Sequence, residues 1–358
     1  MKKIVLTGGG TAGHVTPNIA LLPALQAAGY EIAYVGSYEG IEKKLIADFN
    51  IPYTGISTGK FRRYLDPKNF SDPFRVMKGF VEARNYLKNY QPDVVFSKGG
   101  FVSVPVVRAA ASLHIPCIIH ESDMTPGLAN KLCIPVAEKV CCNFPETMKN
   151  IPADKAVLTG SPIRAELAEG SKLAGLNMCG FTANKPVIMV IGGSLGAANV
   201  NKAVRDALPK LLEDFQVVHL CGKDKIDNLL LNTPGYKQFE YIKAELKDIF
   251  AMADIVISRA GANAICELLA LKKPNILIPL PAASSRGDQL LNAASFEAQG
   301  YSIVLNEDYI TTNLLVDKVH ELYFNRQNYV DAMSKSHQMD AVKTIMELIN
   351  AAADKKTN

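Results

Sequence analysis

The sequence predicts an α/β protein of two doubly wound parallel-sheet domains facing a cleft, and three observations carry that prediction. Short apolar runs alternate with longer amphipathic stretches from one end of the chain to the other, the pattern of parallel βαβ units with helices on both sheet faces. A glycine-rich turn follows the first apolar run of each half, at Gly8 to Gly13 and again at Gly192 to Gly196. A strand-and-turn stretch also recurs: Asp93-Val-Val-Phe-Ser-Lys-Gly-Gly100 lines up with Asp254-Ile-Val-Ile-Ser-Arg-Ala-Gly261, and Ile4-Val-Leu-Thr-Gly-Gly9 with Ile188-Met-Val-Ile-Gly-Gly193. Convergence of two nucleotide-binding folds would produce the same likeness; either origin gives two Rossmann-like sheets.

In the first half the predicted strands are Ile4 to Thr7, Ile32 to Gly36, Val94 to Ser97, Cys117 to His120 and Val140 to Asn143. In the second they are Val187 to Ile191, Gln216 to Cys221, Ile255 to Ser258, Asn275 to Pro279 and Ser302 to Leu305. Length agrees, since 358 residues exceed the ~250 to 300 at which a single core stops growing. A hinge is expected at Thr159 to Arg164, where Gly160 and Pro162 break the pattern. Domains of 1–160 and 161–335 follow, with a final segment, 336–358, holding the amphipathic stretch Asp340 to Ala352.

Composition narrows the function classes. A formal charge of +4 is too small to mark a nucleic-acid binder. The seven cysteines form no C-x-x-C pair, which argues against both a disulfide framework and a zinc site; they read as small core residues. The apolar stretch behind Met1-Lys-Lys ends after Ile4-Val-Leu, far short of a signal-peptide core. No apolar run approaches the ~18 residues of a spanning helix, so a cytoplasmic or peripherally membrane-bound protein is expected.

The first glycine turn, Gly8-Gly-Gly-Thr-Ala-Gly13, opens a helix predicted over Pro17 to Ala28, so its N–H groups form an anion site. Gly8, Gly10 and Gly13 satisfy G-x-G-x-x-G literally, yet the second strand ends at Gly36-Ser37 without the acidic residue that grips a ribose. His14 is expected in the first helical turn, where the dipole keeps imidazole neutral and suited to act as a base. The second turn lacks dinucleotide spacing but can cradle a diphosphate; Ser194 adds a hydroxyl there, or caps the following helix. Arg164 can pair with a leaving diphosphate or form a surface salt bridge. Glu267, in the apolar helix around Ala264 to Ala270, calls for a polar partner such as ribose hydroxyls. Asp288-Gln289 follows a strand end, where residues that read sugar hydroxyls or cap a helix are both at home. The chain has no D-x-D pair, so leaving-group charge is assigned to amides, a helix dipole and Arg164, with no metal or other cofactor.

Together these residues resemble the MurG family, the peptidoglycan N-acetylglucosaminyltransferases of the GT-B fold that convert lipid I to lipid II. The carriers are Gly9 to His14, Gly99 to Ser103, His120-Glu121, Gly160 to Arg164, Gly192 to Gly196, Arg259 to Ala262 with Glu267, and Gln289, in family order over nearly the whole chain. The resemblance implies a second domain that binds UDP-N-acetylglucosamine, with Ser194 and Arg164 on the phosphates, Ile242 on the uracil edge and Glu267 on the ribose. Gln289 reads the sugar, with Asp288, Ala262 and Asp123 beside it, while Thr11, Ala12 and Gly13 close over the donor from the first domain. Gly9, Gly10, Gly99, Gly100, Phe101, Ser103 and Asn130 are implied to bind the lipid acceptor, and His14 or Glu121 to take its proton. Asp123 and Asp288 stand where relatives often carry Asn and Gln. The family's last helix returns to the first domain, which suits 336–358.

The resemblance implies work at the cytoplasmic face of the cell membrane, in cell-wall synthesis and with its other proteins as partners. The first copy is longer than the second between the repeated stretches, by a segment placed near Ser57 to Phe80. This segment is a candidate surface for anionic lipid, mixing Lys60, Arg62, Arg63, Lys68, Arg75 and Lys78 with Phe70, Phe74, Met77 and Phe80. Phe74, Met77 and Val81 stand at helical spacing, so burial in the core is the competing reading. Rival functions are a UDP-N-acetylglucosamine 2-epimerase, another GT-B glycosyltransferase, an NAD-dependent oxidoreductase and a non-catalytic nucleotide-sugar sensor.

Overall fold

The computed structural model describes residues 1–59, 68–192, 197–282, 287–336 and 340–355, those at 68–73 by main chain alone. It divides the chain into two compact units, Met1–Arg164 with Asp340–Asn358, and Ala165–Met339. The first unit holds β1 (Lys3–Thr7), β2 (Glu31–Ser37), β3 (Tyr53–Ile56), β4 (Val94–Ser97), β5 (Cys117–Glu121), β6 (Lys139–Cys142) and β7 (Ala156–Leu158). They form one sheet in the order β3-β2-β1-β4-β5-β6-β7, every pair parallel. The second unit holds β8 (Val187–Ile191), β9 (Gln216–Leu220), β10 (Tyr236–Phe239), β11 (Ile255–Ser258), β12 (Asn275–Leu277) and β13 (Ser302–Val304). Its order, β10-β9-β8-β11-β12-β13, matches the first six strands of the first sheet, again all parallel. Strand order reverses between β1 and β4 and between β8 and β11, and beyond the carboxyl ends of such strands a doubly wound sheet opens a ligand crevice.

Both faces of each sheet are covered, which is why the central strands read as unbroken apolar runs. Along β1, Ile4 and Leu6 lie in one core with Tyr34 and Phe96, and Val5 lies in the other with Ala33, Val35 and Val95. Each fully buried side chain of this size contributes about 1.5 to 3 kcal/mol, and Leu6→Ala would cost about 2 to 5 kcal/mol. An acidic residue just before the neighbouring strand secures each first strand: Asp93 Oδ2 accepts from Lys3 N–H at 2.6 Å, and Asp254 Oδ2 from Val187 N–H at 2.8 Å.

The last helix, Ala341–Lys355, buries Ile345, Ile349 and Ala353 in the first unit's core. Tyr30 Oη donates to its Asn350 Oδ1 at 2.7 Å. All seven cysteines are buried and none forms a disulfide. The helix Lys68–Tyr90 departs from a core role on one side: Phe74, Met77 and Val81 are 79%, 64% and 52% exposed, so their helical spacing marks a surface stripe. Lys60, Arg62 and Arg63 lie outside the described residues, as do the side chains of Lys68 and Phe70. No described helix is long and apolar enough to cross a membrane.

Candidate functional site

The residues implicated on the first unit converge where β1, β4 and β5 end side by side. Behind β1 the chain makes a short 3-10 segment, Ala12–His14, before the helix Thr16–Ala27, so His14 precedes the α-helix instead of sitting in its first turn. Gly10, Thr11 and Ala12 are exposed, Gly13 and His14 half-buried. His14 Nδ1 hydrogen-bonds Thr11 Oγ1 at 3.1 Å. Its imidazole is held neutral, with a pKa lowered to about 4, first by burial and then by the Lys98 ammonium; a bond to the Gly9 main chain and the Glu42 carboxylate oppose them. The causes are desolvation and a neighbouring charge, not the helix dipole expected from the sequence.

Beyond β4, Gly99 and Gly100 adopt φ of +93° and +82°, backbone that only glycine enters without strain. A Cβ on Gly100 would collide with Gly9 O and lie 3.3 Å from His14 Nδ1, so this turn packs directly on the histidine turn. Ser103 closes it, donating from Oγ to Gly100 O at 2.8 Å. Phe101 packs on the adjoining core. Asn130 backs Gly99, its side chain 3.3 Å from where a Cβ would stand, and donates from Nδ2 to His120 O at 3.1 Å and Glu121 Oε2 at 2.9 Å.

Glu121 is 3% exposed, and its oxygens also accept from Asp123 N–H at 2.9 Å and Gly127 N–H at 3.0 Å. Burial pushes its carboxyl pKa up against those donors and Lys98. It staples the loop behind β5, whereas the His14 ring stands half-buried between Thr11 and the Gly100 turn. Two residues that shape the site escaped the sequence reading. Lys98, 1% exposed, donates from Nζ to His120 Nδ1 at 2.8 Å and to Ser122 Oγ. Glu42, 0% exposed, accepts from Gly10 N–H at 3.1 Å, so one amide of the supposed anion site is already taken. A lysine within the β4 repeat was the available indication for the first. An acid five residues past Ser37 was the indication for the second.

In the second unit the implicated residues also stand past the carboxyl ends of strands. Ala262 opens, and Glu267 lies within, the helix Ala262–Ala270 behind β11; both are half-buried. Ile242, past β10, is 4% exposed. Asp288 begins the helix Asp288–Ala298 after Gly287, whose N-terminus has no side-chain cap, so the capping role does not hold. Gln289 Oε1 accepts from Leu280 N–H at 3.1 Å, tying that helix to the turn behind β12. Ser194 lies outside the described residues. Arg164 ends the first unit. No group of three or more His, Cys, Asp or Glu able to hold a metal converges among the described residues.

Two parallel sheets, the second matching the order of the first six strands of the first, with polar residues past their strand ends, define a two-domain, GT-B-like glycosyltransferase fold. The glycosyltransferase family 28 N-terminal domain matches residues 4–142 and its C-terminal domain residues 187–349. The chain therefore belongs to glycosyltransferase family 28. It is 65% identical over 349 residues, 98% of this chain and 99% of the relative, to the UDP-N-acetylglucosamine–N-acetylmuramyl-(pentapeptide) pyrophosphoryl-undecaprenol N-acetylglucosamine transferase of Lachnospira eligens. The crystal structure of Acinetobacter baumannii MurG superposes with a TM-score of 0.77 at 28% identity, covering 98% of this chain and 100% of that one. A Neisseria meningitidis UDP-GlcNAc 2-epimerase bound to UDP-GlcNAc superposes at 0.69 with 15% identity, covering 97% and 99%, a likeness of fold alone.

Proposed function

We infer that the chain is an N-acetylglucosaminyltransferase of peptidoglycan synthesis, which moves the sugar of UDP-N-acetylglucosamine onto the C4 hydroxyl of undecaprenyl-pyrophosphoryl-N-acetylmuramyl-pentapeptide. The end-to-end identity with a curated transferase of that reaction carries this reading. The acceptor oxygen attacks the anomeric carbon in line, the bond from that carbon to the β-phosphate oxygen breaks, and α becomes β. The hydroxyl proton passes to His14, and UDP departs. His14 is preferred to Glu121 because it is half-buried at an exposed turn, while the carboxylate of Glu121 is committed to three N–H donors. A base so placed contributes about 10² to 10⁴-fold.

The donor is assigned to Thr11, Ala12, Gly13, Asp123, Arg164, Ser194, Ile242, Ala262, Glu267, Asp288 and Gln289. Gly9, Gly10, Gly99, Gly100, Phe101, Ser103 and Asn130 are assigned to the acceptor, with Ser103 and Asn130 shaping the turn they support. Departing charge is met by main-chain amides and Arg164 without a metal. A turnover assay with UDP-N-acetylglucosamine and a short-chain lipid I analogue should give β-linked product at the same rate with excess chelator. Epimerised free sugar without acceptor, or dependence on magnesium, would overturn the reading.

Docking to the cytoplasmic membrane face is assigned to the stripe Phe74, Met77 and Val81 with its cations Arg75 and Lys78. Replacing Phe74 and Met77 by serine should weaken binding to anionic vesicles by about tenfold or more while turnover of a soluble acceptor persists. Unchanged vesicle binding would place the contact elsewhere.

A further inference from the structure

The turn that carries His14 lies between two buried groups of opposite charge. From the β2 side comes Glu42, on the short helix Ile41–Ile46. Its Oε2 accepts from Gly10 N–H at 3.1 Å, and its Oε1 from Ser37 N–H at 2.9 Å and Ser37 Oγ at 2.5 Å. Three glycines make room for it: a Cβ on Gly9 would stand 2.5 Å from its carboxyl carbon, one on Gly36 2.8 Å from its Cγ, and one on Gly40 would collide with its carboxylate. From the β4 side comes Lys98, whose Cβ lies 3.3 Å from where a Cβ on Gly8 would stand. Lysine has only donors to offer, so His120 Nδ1 accepts from Lys98 Nζ, and Nε2–H donates to Gly160 O at 2.9 Å. Lys98 is thus anchored below the turn.

We propose that Glu42 and Lys98 are paired positioning residues, which hold the histidine turn from its two sides and set with opposite charges how readily His14 accepts the acceptor's proton. The geometry is specific to this role. Glu42 takes the Gly10 amide from the helix behind β2, so this glycine turn is built around a side chain of its own. Glu42 raises the proton affinity of His14 and Lys98 lowers it, with burial acting on the side of Lys98. Of the remaining charged groups on elements beside the turn, Lys43 and Lys44 are exposed and so screened by water, and the helix Thr16–Ala27 carries none. Among charged groups this pair is therefore what acts on His14, after burial.

The inference rests on the reading of His14 as the base, and its test separates the two. His14 protonation is read from its ¹⁵N and ¹³C resonances in the full-length protein, with His14→Gln identifying the peak among six histidines. At pH 4.5 a group of pKa about 4 is about a quarter protonated. Lys98→Met should make His14 mostly protonated there and Glu42→Gln leave it almost wholly neutral, about a tenfold change in proton affinity each way. Lys98→Arg should restore the wild-type fraction. In turnover at pH 7.5, Glu42→Gln should lower kcat at least about threefold, as a weaker base does, with the KM for UDP-N-acetylglucosamine unchanged. Equal protonated fractions in the three proteins, or a shift of both variants in one direction, would overturn the pairing. Opposite shifts with an unaltered kcat in Glu42→Gln and an active His14→Gln would keep the pairing and remove His14 as the base. Glu42→Gln alone decides the matter should Lys98→Met not fold.

Discussion

The two units share a sheet and differ at its carboxyl edge. Each has the same strand order and the same aspartate bonded to the first strand's leading amide. Each also places a buried cation behind the strand that follows the switch point, Lys98 in one and Arg259 in the other. Arg259 reaches the end of the neighbouring strand, donating to Ile278 O at 3.0 Å and Pro279 O at 3.3 Å, and is paired with Glu307. Lys98 reaches the equivalent place but meets the neutral ring of His120 and the Ser122 hydroxyl. The second unit pairs its cation with a carboxylate, whereas the first sets its cation against a histidine ring and a hydroxyl, from where it acts on both Glu121 and His14. The same position therefore meets a carboxylate in one copy and a histidine in the other.

The largest effect should come from removing the group that only the first unit carries. His14→Gln should lower kcat by about 10² to 10⁴-fold with the KM for UDP-N-acetylglucosamine changed by less than about threefold. Steady-state kinetics with a short-chain lipid acceptor measure both. A variant that keeps most of its turnover would erase the functional asymmetry between the copies.

Next in size is the ion pair of the second unit. Arg259→Met strands the Glu307 carboxylate in a site where both side chains are less than a tenth exposed. Removing one partner of such a pair costs about 3 to 5 kcal/mol, and removing both often costs little. Urea unfolding of Arg259→Met, Glu307→Gln and the double variant should show that non-additivity. Simple additivity would mean that Arg259 acts through the two carbonyls it holds.

How much of this was legible in the sequence depended on position in the sheet. The ten predicted strands are present, and the missed ones, β3, β7 and β10, are all edge strands. An edge strand is short and covered on fewer sides, so Tyr53-Thr-Gly-Ile, Ala156-Val-Leu and Tyr236-Lys-Gln-Phe lack the apolar density that marked the centre. The site divided in the same way. His14, Gly99 and Gly100 were readable because a turn after a strand announces itself locally. Glu42 and Lys98 became meaningful only when packing brought their charges to one turn, and a lone Glu or Lys in a sequence reads as a solvated surface group.

The smallest effect tests whether the copies answer acid alike, since each carries a fully buried histidine. His219 Nε2 meets Asn201 Oδ1 at 3.0 Å and Nδ1 meets Tyr236 Oη at 2.9 Å, and its pKa is lowered to about 3, by burial and then Arg205. His120 is lowered well below its ordinary value, by burial and then Lys98. Protonating either ring places an N–H against a group already donating to it. The unfolded chain binds protons below the ordinary histidine value of 6.5 and the folded units do not. The stabilisation is therefore complete above pH 6.5 and is lost as the pH falls toward the folded values. Between pH 7.5 and 5.5 each histidine should withdraw about 1.4 kcal/mol, seen as a fall in urea midpoint that His219→Gln reduces for the second unit alone. An equal fall in that variant would show that the acid sensitivity of the second unit lies in other groups, and that the shared buried imidazole is not a shared acid trigger.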